Sequence, residues 1–236
     1  MADHAVFRST LIGVVMHRIA LSSNRCGARR PANLVLLAAL VWILAGSLAG
    51  CMSTPAVVQN RFDLGEPPAS QAAAGNAWRV GVLVVPDVRA PSDLDNDRIN
   101  YRLQYLSALE SRSYTTSNWS MTPPQLLTQR LRNQLSQHGA VMSNLGSTSA
   151  PVLQVDLLKF EQVFDQIGVS HGVIRLRATL SRAGAVMAQR DFEAQAPSAT
   201  ADAAGGALAL RQATDASIGS LIQWLAQQPL NVSGQK

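Results

Sequence analysis

Cys51 ends the run Leu48-Ala49-Gly50-Cys51, and that spacing specifies a covalent reaction. The four residues look like a bacterial lipobox. At such a site the thiol takes a diacylglyceryl group, the chain is cut before Cys51, and the new amine is acylated. Small side chains at Ala49 and Gly50 suit a narrow peptidase pocket. Other spacings imitate catalytic or metal sites without completing them. Gly168-Val169-Ser170-His171-Gly172 matches G-x-S-x-G, but a nucleophile elbow needs a helix after its Ser. The following VIRLRATL is strand-like, and no His lies beyond His171 to complete a triad. A Gly-flanked turn between strands is the expected reading. Asp93, Asp95 and Asp97 resemble the opening of a calcium loop, which wants Gly sixth and Glu twelfth. Those positions are Arg98 and Gln104, so a solvated loop is expected. Zinc lacks ligands, because cutting before Cys51 leaves only His138 and His171 and no free thiol. There is no P-loop or dinucleotide fingerprint. No catalytic residue, metal or cofactor is expected.

The residues before Cys51 supply the context that the lipobox needs. Arg25, Arg29 and Arg30 precede the uncharged run Leu34–Gly50, in which only Gly46, Ser47 and Gly50 are not apolar. A charged start, an apolar middle and a small-residue end describe a secretory signal. Seventeen residues is short for an uncleaved span, which needs about 20. Met16 is a second candidate start. The chain carries 20 Lys and Arg against 15 Asp and Glu, a formal +5. Residues 1–50 hold five of the Arg and one acid, so the remainder carries 15 and 14 and sits near +1. A basic patch for nucleic acid therefore disappears with the leader. Residue 52 is Met, where Asp would favour retention at the inner membrane. Lipoprotein sorting signals in general then point to the outer membrane, with the acyl chains as the attachment.

The mature chain reads as one α+β domain: a single mixed or antiparallel sheet with two long helices on one face. The expected organisation is a cleaved signal at 1–50, an acylated Cys and tether at 51–76, a folded domain at 77–228 and a tail at 229–236. Within the tether, Arg61–Leu64 is a candidate short strand. RVGVLVV at Arg79–Val85 is a buried strand ended by Pro86. A charged loop, Asp87–Asn100, follows, and Tyr114–Trp119 looks like a strand. Thr122, Pro123 and Gln125 give the N-cap, first-turn proline and capping box of a helix. Leu127, Leu131 and Leu135 form its apolar face, with His138 near the carbonyl end and Gly139 as the stop. Ala140–Ser143 is a short strand candidate. Val152–Phe164 alternates and then shifts phase at Leu157–Leu158, which a bulge explains. A hairpin follows with a three-residue loop, Ala183-Gly184-Ala185, setting Arg177 against Asp191 and Arg175 against Glu193. Thr200–Gln228 is the second helix, with Thr214, Ile218, Leu221, Ile222 and Leu225 as its stripe and a fraying start at Gly205-Gly206. Trp78, Trp119 and Trp224 are expected in the core or at an interface.

From Val80 to Leu135 the chain resembles the ABC-type transport auxiliary lipoproteins, the PqiC-like proteins. The matching pieces are VGVLVVPDV, LDNDRINYR and SNWSMTPPQLLTQRLRNQL. RFDLG at Arg61–Gly65, the lipobox and the late helix fit as well, so most of 51–228 is covered. Leu103–Arg112 looks inserted against that pattern. The resemblance implies a periplasm-facing outer-membrane lipoprotein without catalysis. It would serve an ABC/MCE-type system that moves phospholipid between membranes. Its partners would be an MCE-domain protein and an ABC permease, with a homo-oligomeric ring receiving the end of the tunnel. Cys51 is the residue carried over with a chemical role; Arg98 and Trp119 match family positions as structural residues. The other readings are a general envelope-assembly lipoprotein and a stand-alone lipid- or small-ligand-binding module.

Overall fold

The computed structural model describes residues 58–66, 80–144 and 150–230. The signal, Cys51, most of the tether and Trp78 lie outside them. Eight described strands form one mixed sheet, and two helices complete the α+β fold. In chain order these are β1 (Asn60–Phe62), β2 (Val80–Val84), β3 (Arg98–Leu103), β4 (Arg112–Trp119), α1 (Pro123–Ser136) and β5 (Gly139–Met142). Then come β6 (Val152–Gln166), β7 (Val169–Arg182), β8 (Ala185–Pro197) and α2 (Ala203–Ala226).

The 15-residue β6 organises the sheet. One edge pairs antiparallel with β7 along its whole length. The other edge is shared: Val152 meets Val84 of β2, Asp156 bridges to Arg89, and Gln162–Phe164 run parallel to Tyr101–Leu103 of β3. Outward from β3 lie β4 and then β1, and outward from β2 lies β5. Leu158 is the extra residue of a bulge, since Leu157 pairs with Leu176 but Lys159 with Arg175. The bulge keeps an apolar set toward the helices on both sides of the phase change. Leu153, Val155 and Leu157 before it, and Phe160 after it, join one core with Leu127 and Leu131 of α1 and Leu210, Ile218 and Leu221 of α2. The helices cover one face, and Trp119 is fully buried there with Phe160 at 5.4 Å between ring centroids.

The β7–β8 register is the expected one, with Arg177 opposite Asp191 and Arg175 opposite Glu193. The loop is not. Arg182 pairs with Ala185, leaving a two-residue turn of Ala183 (φ 49°) and Gly184 (φ 82°). Positive φ at both central residues is the hairpin turn that matches strand twist. Ile174, Leu176, Ala178 and Leu180 on one strand and Val186, Ala188, Phe192 and Ala194 on the other are all even-numbered, which requires a three-residue loop only if the ladder is unbroken. Met187 is instead extra between Val186 and Ala188, so one residue is absorbed in the strand and Val186 turns out to solvent. Arg177 Nε and Nη2 reach the Asp191 carboxylate at 2.8 and 3.1 Å, and Arg175 Nη2 joins it at 3.1 Å instead of meeting Glu193. Exchanging Arg177 and Asp191 is expected to leave the melting temperature nearly unchanged, while each single reversal lowers it. Additive losses in the double variant would show that they do not couple.

Helix α1 starts as its sequence demands, with Gln125 Oε1 accepting the Thr122 N–H at 3.1 Å. It ends two residues early. Gln137 caps it and Gly139 opens β5, so Gly139 serves a strand and does not stop the helix. Helix α2 begins at Ala203, capped by Asp202, whose Oδ1 accepts the Gly205 N–H at 2.8 Å. Gly205 and Gly206 are buried and helical, without fraying. A Cβ on Gly205 would clash with the Thr200 carbonyl oxygen, and one on Gly206 with Gln162 Oε1. The pair is there for close approach. The Gly205 N–H holds the Asp202 carboxyl below its usual range, helped by the Thr200 hydroxyl. A lowered folded value means the cap contributes fully above the ordinary aspartate range and is lost as pH falls through the lowered value. Asp202→Ala is expected to cost about 1 kcal/mol near neutral pH. In denaturant titrations that loss should shrink in acid. A pH-independent loss would contradict the assignment.

Candidate functional site

Cys51, the residue with a predicted reaction, lies outside the described residues. What the structure does describe is where the chain that follows it joins the domain. β1 adds to the sheet edge parallel to β4, with Phe62 level with Trp119. After it, Asp63 Oδ1 accepts the Gly65 N–H at 2.7 Å, and Gly65 takes φ 61° to close the turn. Arg130 of α1 clamps this turn. Its Nη1 donates to the Leu64 and Gly65 carbonyls at 2.8 and 2.9 Å. Its Nε and Nη2 form a two-pronged pair with Asp215 of α2 at 2.6 and 2.7 Å, and Gln134 Nε2 donates to the same carboxylate at 2.9 Å. The Arg130 side chain is 2% exposed. The RFDLG segment is therefore tied to both helices at one guanidinium. A cleft of about 140 Å³ beside it is too small for an ordinary organic ligand, which takes several hundred.

The G-x-S-x-G residues do not form an elbow. Gly168 (φ 79°) makes the β6–β7 turn, and β7 then runs straight through Ser170 and His171. As neighbours in a strand these two point to opposite faces. Ser170 is buried on the helix side, its Oγ accepting from Gln162 Nε2 at 2.8 Å. Gln162 Oε1 in turn accepts the Tyr114 hydroxyl at 2.9 Å. Burial pushes the Tyr114 hydroxyl up to about 12, which keeps it a neutral donor. His171 Nδ1 lies 2.8 Å from Asp165 Oδ2 on the other face. Among the described residues no three of His, Cys, Asp and Glu converge as metal ligands would. In the loop before β3, the Asp93 carbonyl accepts from Asn96 Nδ2 and the Asp97 carbonyl accepts the Trp119 N–H, which fixes a polar turn. His138 sits just past α1, and its N–H donates to the Leu135 carbonyl at 2.9 Å.

The face away from the helices carries a groove of about 550 Å³ that the sequence did not disclose. At its floor Arg102 Nε and Nη2 pair with the two Glu161 oxygens at 3.0 Å each, and Lys159 Nζ approaches Glu161 at 3.2 Å. The Glu161 hydrogen bonds hold the Arg102 guanidinium above its ordinary value, so it stays charged. Arg102 Nη1 donates to the Ala108 carbonyl at 2.8 Å, which pins the inserted-looking Leu103–Arg112 segment against the sheet. Leu94, Leu109 and Leu158 line the same groove. Asp93, Asn100, Gln104 and Ser111 also line it, so the groove is mostly polar, and the Arg102, Lys159 and Glu161 charges at its floor are paired with one another. The readable signal was Glu161 and Lys159 alternating through an apolar strand, which marks a second, polar face.

The described residues thus form an α+β sheet with one helix-covered face, one open face and a clamped N-terminal strand. The chain belongs to the family of the ABC-type transport auxiliary lipoprotein component, whose model matches residues 62–218. No curated protein matches it. Among solved structures it is similar to a Xanthomonas campestris protein of the DUF330 family, at 22% identity and a TM-score of 0.56, covering 72% of this chain and 91% of that one. A second, an uncharacterized protein, aligns at 17% identity and a TM-score of 0.57 over 71% of this chain and 99% of that one. These likenesses speak for the fold. The family places the chain with auxiliary lipoproteins of transport systems.

Proposed function

We propose that this protein is an outer-membrane lipoprotein acylated at Cys51. In this reading it is a non-catalytic auxiliary of an ABC/MCE-type system that moves phospholipid between membranes. Cutting before Cys51 removes 1–50, and the residues between Cys51 and β1 tether the domain to the periplasmic face, so the expected tether of 51–76 is shortened by β1 and the turn after it. The role is docking the end of an MCE tunnel, as a homo-oligomeric ring, and passing phospholipid on. Family membership over residues 62–218 carries this reading. The lipobox after an apolar run and Met52 in place of Asp support the site and the membrane. Two acyl chains or more hold a protein firmly, so charge near +1 is no obstacle. Affinity capture from cross-linked envelopes tests it. The expected result is co-recovery of an MCE-domain protein and an ABC permease. Efficient recovery of the bait with neither would count against the transport role.

A further inference from the structure

One end of the sheet carries large apolar side chains that the core does not use. The β3–β4 connection exposes Tyr105, Leu106 (65%) and Leu109 (94%). The β6–β7 turn exposes Ile167 (85%), and Val169 follows at the start of β7. These two connections lie at the same end, because β3 and β6 run parallel with Leu103 level with Phe164. Large exposed apolar side chains gathered at one end of a sheet mark an interaction surface.

The backbone beneath them needs no outside partner. Leu106 and Ser107 N–H groups donate to the Leu103 carbonyl at 2.9 Å, and Gln104 N–H donates to the Phe164 carbonyl at 2.9 Å. Nearby, Glu110 pairs with Arg112 at 2.9 Å, and Asp165 Oδ2 lies 2.8 Å from His171 Nδ1. Backbone groups bonded within the connection lower the cost of placing it at the boundary of an apolar medium.

The path of the chain says which medium. β1 runs parallel to β4 with Asn60 level with Ser117, so the residues before Asn60 approach from the end where β4 begins. That is the end with the apolar connections, since Arg112 of β4 pairs with Tyr101 of β3. Eight residues lie between Cys51 and Asn60, and the nine steps reach about 30 Å at most. Five steps along β4, about 17 Å, separate the level of Asn60 from Arg112. An acylated Cys51 can thus reach the plane of the apolar tip.

We propose that Tyr105, Leu106, Ile167 and Val169 form a membrane-seating tip that dips into the phospholipid interface holding the acyl chains of Cys51. Tyr105, half-exposed with a polar end, suits the headgroup level. The tip adds a second attachment to the acyl anchor and fixes the orientation of the domain on the bilayer. This rests on the acylation proposed above.

Single cysteines test it in the full acylated chain, because the parent then offers no free thiol to a dye. Leu106→Cys and Ile167→Cys place an environment-sensitive fluorophore at the tip. Val186→Cys, exposed at the β7–β8 turn at the opposite end, is the control. Each protein is reconstituted in phosphatidylethanolamine–phosphatidylglycerol vesicles, with and without nitroxide-labelled lipid. The expected result is a blue-shifted emission at 106 and 167 that nitroxide lipid quenches, with aqueous, unquenched emission at 186. Aqueous emission at both tip positions in acylated, vesicle-bound protein would overturn the tip and leave the lipoprotein reading standing. A blue shift that nitroxide lipid does not quench would also overturn it, assigning the tip to a second copy or a protein partner. Dye uptake by the parent at Cys51 would instead mean that acylation itself fails.

Discussion

Arg130→Ala is expected to lower the unfolding free energy by about 3–5 kcal/mol, the scale of a buried charge pair broken from one side. The substitution leaves the Asp215 carboxylate without its cation and the Leu64 and Gly65 carbonyls without donors. For a domain whose total stability is about 5–15 kcal/mol, that is a large share. Arg130→Lys should recover little of it, since one ammonium cannot serve a carboxylate and two carbonyls in the fork geometry of a guanidinium. The loss should also have a place. Amide hydrogens of Leu64 and Gly65 should exchange faster in either variant, because the clamp holds the segment that leads to the tether. A loss below about 1 kcal/mol, the range of an exposed pair, would mean that Arg130 is not clamping.

Gly172→Ala is expected to be comparably harmful, although alanine is ordinarily the better residue inside an element. Its Cβ would sit 2.6 Å from the Leu210 nitrogen and 2.7 Å from the Ala209 carbonyl carbon. Both atoms are backbone of α2, so no side-chain rotation relieves the clash, and the helix must lift off β7. Overpacking of this kind costs about 1–3 kcal/mol, and the lost burial of Leu210 and Ala213 adds to it. Gly184→Ala serves as the contrast: nothing lies within 4 Å of its Cβ, and only the left-handed turn is strained. Chemical denaturation of the two variants should rank Gly172→Ala as the more destabilised. The reverse order would place α2 farther from β7 than described.

Much of this architecture was legible in local sequence. The phase change at Leu157–Leu158 announced the β6 bulge, and Thr122, Pro123 and Gln125 announced α1. The Arg177–Asp191 register followed from which residues share a face. What was hidden depends on irregularity or on distance along the chain. Met187 conceals a residue inside β8, so the parity of apolar positions misread the turn. β3, RINYRL, has only Ile99 fully buried, so it read as the end of a charged loop. Gly205 and Gly206 looked like helix weakeners because the Thr200 carbonyl and Gln162 that approach them are invisible to propensity. The candidate site was less legible than the fold. Arg130 and Asp215 are 85 residues apart, and the available hint was a charge at i+4 from Leu126 within the apolar stripe of α1. Leu103–Arg112 stood out only as a departure from the family pattern. Its pinning by Arg102 and its exposed leucines required the sheet to be in place.

Whether this domain works as a lipid-anchored envelope protein is decided by the intact mass of the chain from isolated outer membranes. The expected N-terminus is Cys51, carrying a diacylglyceryl thioether and an amide-linked acyl chain. Cys51→Ser is expected to stay uncut and to incorporate no acyl label. A chain that retains residues 1–50, or a Cys51→Ser variant labelled as well as the parent, would contradict the lipid anchor.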